Sequence, residues 1–376
     1  MQLDKDYTLL VGTYSDMDAL AHQPHAPSAG EGIYTMRLTT DGKLQHIETT
    51  ASLNPAVLIP NDDGEHLYSI RETIQENGSI DRYKVDNTGS LALQDTFAAS
   101  GKSTCYLALS PNKDAAVVIN YWDANIDVCS VDKSGKLGSI HQSFKQFYRP
   151  KGSWRQVETR EDHWGNRQVG PHAHCAHFWH SWVFIPDLGE NAIFQYRYDS
   201  ETKTLEQECW IEFEAGSGPR HMAMHPKLDI CYVSNELFNT VCVASLDSSN
   251  PTQTKPRLTP IQYESTVDDR EKTSYVSEIK LSPDARYLYV SNRGDDSIAI
   301  FSVDATGALK RVGLTPTGGS FPRHFAISPC GEALLASNQD SSSLIVFDRD
   351  VETGQITMTD EKVNIPAPCY IRFLSL

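Results

Sequence analysis

Long apolar runs are missing from this 376-residue chain. Hydrophobic residues make up 39% of it, yet no stretch approaches the ~20 residues a membrane-spanning helix needs, so no membrane partner is expected. The opening decapeptide, MQLDKDYTLL, lacks the basic and apolar regions of a secretory signal. Cysteine pairs at CxxC spacing are also missing. The eight cysteines, at 105, 129, 175, 209, 231, 242, 330 and 369, are scattered and sit mostly in strand-like runs. That argues against a disulfide framework and for buried free thiols in a reducing, cytoplasmic setting. Positive charge is scarce as well: 33 Lys and Arg stand against 49 Asp and Glu, a net charge of −16, with no basic stripe to bind nucleic acid. An anionic ligand would need its positive charge gathered in one place. No GxSxG elbow, Walker A loop or GxGxxG fingerprint occurs, so a serine-hydrolase route has no support and no cofactor is expected.

What the chain does have is a phrase that returns: an apolar strand, a Pro-centred turn, a second apolar strand, then a polar residue. It reads SGPRHMAMHPKLDICYVSNE at 217–236, SEIKLSPDARYLYVSNR at 277–293 and FPRHFAISPCGEALLASNQ at 321–339. Weaker copies run from 105 to 122 and from 56 to 72, and HAHCAHFWHSWVFIPDL (172–188) keeps the strands but loses the Pro turn. A four-stranded unit returning every ~45–50 residues reads as a propeller blade, because one small twisted sheet cannot bury both faces until neighbours stack on it. First strands are expected near Ala56, Cys105, His172, Arg220, Ser277, Arg323 and Cys369. The last has no partners after it, so YTLLVGTY (7–14) and GIYTMRL (32–38) should complete its blade and close the ring. The expected fold is therefore all-β: a seven-bladed β-propeller in one domain spanning 1–376, with insertions at about 15–32 and 147–170.

In an antiparallel pair, the start of the first strand and the end of the second share one edge of the sheet. Residues 16 apart in the phrase should therefore meet at one mouth of the channel: Arg220 with Glu236, Ser277 with Arg293, Arg323 with Gln339, Cys105 with Tyr121. Around the ring this gathers His172, Arg220, Asp187, Glu236 and Arg293, an ionisable cluster in a concave mouth. The bland alternative is a set of ion pairs that stitches blades together. His172 and His174 alternate on one strand face, a spacing zinc ligands could use with Asp187, but buried hydrogen-bonded histidines are the better reading and no metal is expected.

The 147–170 insertion carries five basic residues, three acids, Tyr148, Trp154 and Trp164, and reads as a lid or an outer packing segment. The 15–32 insertion is read as a loop over the same mouth without chemistry, and the segment 251–275 as a loop on the outside.

The motifs GTYS, GPHAH followed by VFIPDLGENAIFQY, GPRHMAMHP followed by YVSNEL, and LSPDARYLYVSNRGDDSIAIF resemble the lactonase family of seven-bladed propellers over essentially the whole chain. The family includes propeller-type sugar lactonases and fungal carboxymuconate cycloisomerases. The resemblance implies a catalytic set of His172, Arg220, Glu236 and Arg293. It also adds His174, Asp187, His221, Asn235, Asn292, Arg323 and His324 as candidate substrate-binding neighbours. It implies hydrolysis of a small anionic sugar lactone, 6-phosphogluconolactone first. Glu236 or His172 would be the general base, Arg220 would stabilise the oxyanion, and Arg293 would hold the substrate's anionic group. Lactonisation of a carboxymuconate by the same groups, or a non-enzymatic scaffold, are the alternatives.

Overall fold

The computed structural model describes residues 2–61, 64–146, 167–247, 257–269 and 272–375. Among these, 28 strands form seven four-stranded antiparallel sheets. Blade 1 joins the two ends of the chain. Pro368–Phe373 is its innermost strand and pairs with Tyr7–Thr13, Gly32–Leu38 and Leu44–Ala51 follow outward, and Leu9 lies opposite Phe373. Blades 2 to 7 follow in chain order, with innermost strands at Pro55–Pro60, Thr104–Leu109, His177–Trp179, Pro219–Met224, Tyr275–Leu281 and Pro322–Ile327. The expected propeller and its closure by both termini are what the chain forms.

Position within a blade explains the sequence pattern. Second strands such as Ala115–Asn120 and Ile230–Asn235 are buried at every residue, since neighbouring blades cover both faces, and so they read as unbroken apolar runs. Fourth strands alternate. Along Ile356–Asn364 the polar Thr, Asp and Lys side chains share the rim with a half-exposed Met358.

Two expectations differ from the structure. Blade 4 was expected to begin near His172, but its first strand is only His177–Trp179. Without the Pro turn, residues 172–176 run as irregular chain with one isolated bridge, Ala173 to Asp187. The segment 251–275, expected to be a loop, contains the outer strand Leu258–Ser265 of blade 5.

A repeated turn ties blade 1 to 2, blade 2 to 3 and blade 5 to 6. In Asp86–Gly89, Asp132–Gly135 and Asp304–Gly307, the Asp carboxylate accepts backbone N–H groups two and four residues on, and the Gly takes a positive φ of 77° to 86°. The glycine carbonyl then accepts a side-chain hydroxyl from the preceding blade: Thr35 to Gly89 at 3.2 Å, Tyr68 to Gly135 at 2.5 Å, Tyr232 to Gly307 at 2.9 Å. Tyr232→Phe should leave the Gly307 carbonyl without this partner and destabilise by about 1–3 kcal/mol, read as a lower urea midpoint at unchanged slope. An unchanged midpoint would show that the stitch contributes nothing.

Candidate active site

The innermost strands do not alternate cleanly. Their ladders slip between Pro55 and Val57, Thr104 and Tyr106, Pro219 and Met222, Val276 and Ile279, and Pro322 and His324. Blade 1 slips opposite Cys369. Each slip is a β-bulge, which re-aims the extra residue. The residues in these bulges include Ala56, Cys105, Arg220, His221, Glu278, Arg323 and Cys369, and all seven line one chamber of the central channel. A cleft above it, about 590 Å³ counted out to solvent, shares Glu72, Cys105, His174 and Arg323 with that chamber and adds Arg167, Glu236 and Arg293.

Glu236 is the hub of this mouth. It directly follows Ile230–Asn235, the second strand of blade 5, and its carboxylate meets three guanidinium groups: Arg167 Nη1 at 2.5 Å, Arg293 Nη2 at 2.7 Å and Arg220 Nε at 3.0 Å. Burial alone would raise its pKa, but Arg293, Arg167 and Arg220 together hold it well below the usual carboxylate range. Burial in turn draws Arg293 down to about 10 even though Glu236 sustains its charge. Arg220 Nη1 also donates to the Ser277 carbonyl at 2.9 Å, and Arg293 Nη2 to the Val276 carbonyl at 3.0 Å. Both forks are therefore fixed by blade 6.

Arg323 is engaged differently. Its guanidinium lies 3.8 Å from Glu72 and over the Tyr14 ring at 5.3 Å. Glu72 in turn accepts the Tyr14 hydroxyl at 3.1 Å and the Ser103 hydroxyl at 2.8 Å.

Three histidines approach the mouth. His174 lines both cavities; burial first, then the charges of Arg220 and His221, hold it neutral well below the ordinary imidazole value, and its buried Nδ1 has no hydrogen-bond partner. His172 Nδ1 lies 3.0 Å from the Tyr121 carbonyl, so this nitrogen carries the proton and Nε2 the lone pair. The His172 ring stacks on Tyr121 at 4.7 Å, with Tyr121 between it and His174. The third, His22, comes from the 15–32 insertion. It packs edge-on against Tyr14 at 5.1 Å and is held neutral by burial and by Arg323 and Arg293.

Deeper in the chamber, Glu278 faces Lys280 at 3.2 Å, His221 at 3.3 Å and His324 at 3.4 Å. The Ile371 N–H reaches His324 Nδ1 at 3.2 Å, which makes Nδ1 the acceptor and leaves the ring proton on Nε2, toward Glu278. No cluster of three or more His, Cys, Asp or Glu suited to a metal ion occurs among the described residues.

The structure brings Arg220, Glu236, Arg293, Arg323 and His174 together, with His221 and His324 one layer below. Three expected neighbours point elsewhere. Asp187 is fully buried and accepts the His172 N–H at 2.7 Å, the Glu190 N–H at 2.9 Å and Gln146 Nε2 at 2.9 Å, so it holds the turn beneath His172. Asn235 and Asn292 precede the rim residues on regular strands and face the opposite way, donating to Thr240 Oγ1 and to the Thr266 carbonyl. Arg167, Glu72, Glu278 and His22 were not singled out as site residues. The 15–32 loop, read as lying over the mouth, brings His22 into the lining of the cleft. Most of the 147–170 insertion (147–166) lies outside the described residues, but Arg167 at its end reaches Glu236.

A propeller whose channel mouth gathers guanidinium groups, an ionised glutamate and neutral imidazoles defines a class of small-molecule enzymes. The chain belongs to the lactonase family of seven-bladed β-propellers, whose description matches residues 8–373. It is 32% identical over 375 residues to a 6-phosphogluconolactonase of Bacillus subtilis, covering 98% of both chains. It is also 32% identical to a 6-phosphogluconolactonase of Formosa agariphila, covering 87% of this chain and 91% of that one. Among solved structures, the periplasmic gluconolactonase of Pseudomonas aeruginosa superposes with a TM-score of 0.85 at 27% identity, covering 98% and 99% of the two chains.

Proposed function

We propose that this chain hydrolyses a sugar lactone to its open acid, with 6-phosphogluconolactone as the substrate. The observation that carries the reading is the charge at the mouth. Arg167, Arg293 and Arg323 line one cleft of a chain whose net charge is −16, beside a neutral imidazole. The named activities of the Bacillus and Formosa relatives support the same substrate.

Glu236 is a poor general base, because three guanidinium groups stabilise its ionised form. We assign the base to His174. It takes a proton from water as the oxygen attacks the lactone carbonyl, and returns it to the ring oxygen as the C–O bond breaks. Arg293, fixed by Glu236, stabilises the charge that develops on the carbonyl oxygen. Arg220 supports it from below, and His172 backs Tyr121. Arg323 holds the phosphate, since among the described residues its fork is tied only by the 3.8 Å contact to Glu72 and the Tyr14 ring.

Proton release from freshly made 6-phosphogluconolactone and from gluconolactone, with wild type and Arg323→Ala, tests this. The variant should raise KM at least about tenfold for the phosphorylated lactone and about twofold or less for the neutral one, in line with the ~1.5–3 kcal/mol of a hydrogen bond to a charged group. Equal losses on both would remove the phosphate role, and no acceleration of either would remove the lactonase reading. All eight cysteines are unpaired, and no helix among the described residues is long and apolar enough to cross a membrane. We place the chain in the cytoplasm, and recovery in a periplasmic fraction would overturn that.

A further inference from the structure

A second cleft opens beside the arginine mouth. It holds about 1,020 Å³ counted out to solvent and meets the first cleft at Ala21. Its lining among the described residues is of another kind: Gln23, His25, Thr273, Tyr275, Phe321 and Asp340, without lysine or arginine.

The partition between the clefts is built from two cation–aromatic pairs. Arg293 lies over the Phe321 ring at 5.4 Å and Arg167 over the Tyr275 ring at 5.3 Å. Each pair presents a guanidinium to one cleft and belongs, through its ring, to the wall of the other. Phe321 adopts a φ of +62°, a left-handed conformation that a bulky side chain disfavours, and such positions collect where a fixed side-chain direction is used. The wall is held in place. The Phe321 N–H donates to Asp296 Oδ1 at 2.8 Å, and its carbonyl accepts the Gln339 N–H at 3.0 Å. Asp340 Oδ1 accepts the His25 N–H at 3.1 Å and Gln339 Nε2 at 2.8 Å, which anchors the 15–32 segment across the cleft.

Two aromatic rings flanked by a carboxylate, an amide and a hydroxyl suit a neutral, hydroxyl-rich ring, whose C–H face stacks and whose OH groups donate to the carboxylate. A phosphate is disfavoured there, because Asp340 would repel it and no lysine or arginine among the described lining residues would balance it. We infer that the second cleft is a subsite for a second, uncharged sugar residue, so that the lactones of disaccharide acids are substrates. The inference rests on the lactonase reading but is independent of the phosphate. The reacting lactone ring sits among His174, Arg293 and Glu236, and the appended sugar extends past Ala21 toward Phe321 and Tyr275.

The experiment compares kcat/KM for gluconolactone and for the lactone of cellobionic acid, above the spontaneous rates, with the full chain. Wild type should favour the disaccharide lactone by about tenfold or more. Phe321→Asn, a residue that tolerates positive φ, and Asp340→Ser should each bring that ratio to within about threefold of one. A wild-type ratio at or below one overturns the subsite, as does a high ratio that survives in both variants. If neither is hydrolysed while 6-phosphogluconolactone is, the subsite has failed and the lactonase reading stands; if none of the three is hydrolysed, the lactonase reading has failed and takes the inference with it. If gluconolactone alone is hydrolysed, only the subsite has failed.

Discussion

Glu236→Gln is expected to lower kcat on a lactone by between a hundredfold and a thousandfold, the scale of losing a preorganised oxyanion donor, and to destabilise the fold by about 3–5 kcal/mol. The amide keeps the shape but removes the charge that three guanidinium groups share at 2.5–3.0 Å. Arg220 and Arg293 are themselves buried, so neither can turn to water for compensation. Leaving them unpaired exposes each to the others' repulsion, and the Arg293 fork loses the geometry that faces the substrate carbonyl. KM for an anionic lactone should not rise, because the positive charge is still in the cleft. For the same reason inorganic phosphate should raise the melting temperature of the variant more than that of wild type, by mass action on the folded state.

The pH profile separates an anchoring role from a basic one. His174 is held neutral below the ordinary imidazole range, so the acid limb of kcat/KM should fall below pH ~6.5. That limb should persist in the residual activity of Glu236→Gln. If the limb vanishes in the variant, Glu236 is the base after all. If the variant melts like wild type, the triple ion pair contributes no stability.

The blade repeat was legible because the second strands are covered on both faces and the rim residue recurs at a fixed span. Pro55 pairs with Arg71, Thr104 with Asn120, Pro219 with Asn235 and Pro322 with Asn338, all 16 apart. That span brought out Arg220, Glu236 and Arg293 from residue types alone. The same logic misplaced Asn235 and Asn292, which resemble rim residues in sequence but alternate away from the channel on regular strands. His221 and Glu278 escaped a register argument for the opposite reason. They follow Arg220 and Ser277 directly, and strict alternation would turn them to the other face, whereas the bulge opens a place for them in the channel. Arg167 and His22 come from insertions, where no periodicity fixes a direction. Blade 4 lacks the Pro turn, so its strand begins five residues later than the repeat suggests, and His172 stays off the ladder while Asp187 is consumed in holding it.

Acidification should destabilise this protein before the depressed carboxylates of Glu236 and Glu278 take up protons. Burial is the main cause that holds His221 and His177 near pKa 4, with Arg220 adding to it for His221 and His221 for His177. The unfolded value is about 6.5, so between pH 6.5 and 4 the unfolded chain binds more protons than the folded one, and stability rises with pH across that window. Falling from pH 7 to 4, each of the two therefore removes about 3 kcal/mol, at ~1.4 kcal/mol per unit. Burial also holds His174, His324 and His22 below the ordinary imidazole value, which adds to the loss. Glu236 and Glu278 cannot offset it. Their pKa values are also depressed, so their contribution is constant down to about pH 5 and then falls as the unfolded chain takes up protons near 4.5, which adds to the loss. The two histidines near 4 alone amount to about 6 kcal/mol, against the ~5–15 kcal/mol that folded domains hold in total. The urea midpoint, measured at constant ionic strength, should thus fall steeply between pH 6.5 and 5, and cooperative unfolding should be complete without denaturant near pH 4. A midpoint that stays level from pH 7 to 5 would mean that the channel histidines are solvated or already charged, and with that the neutral base assigned to His174 would lose its footing.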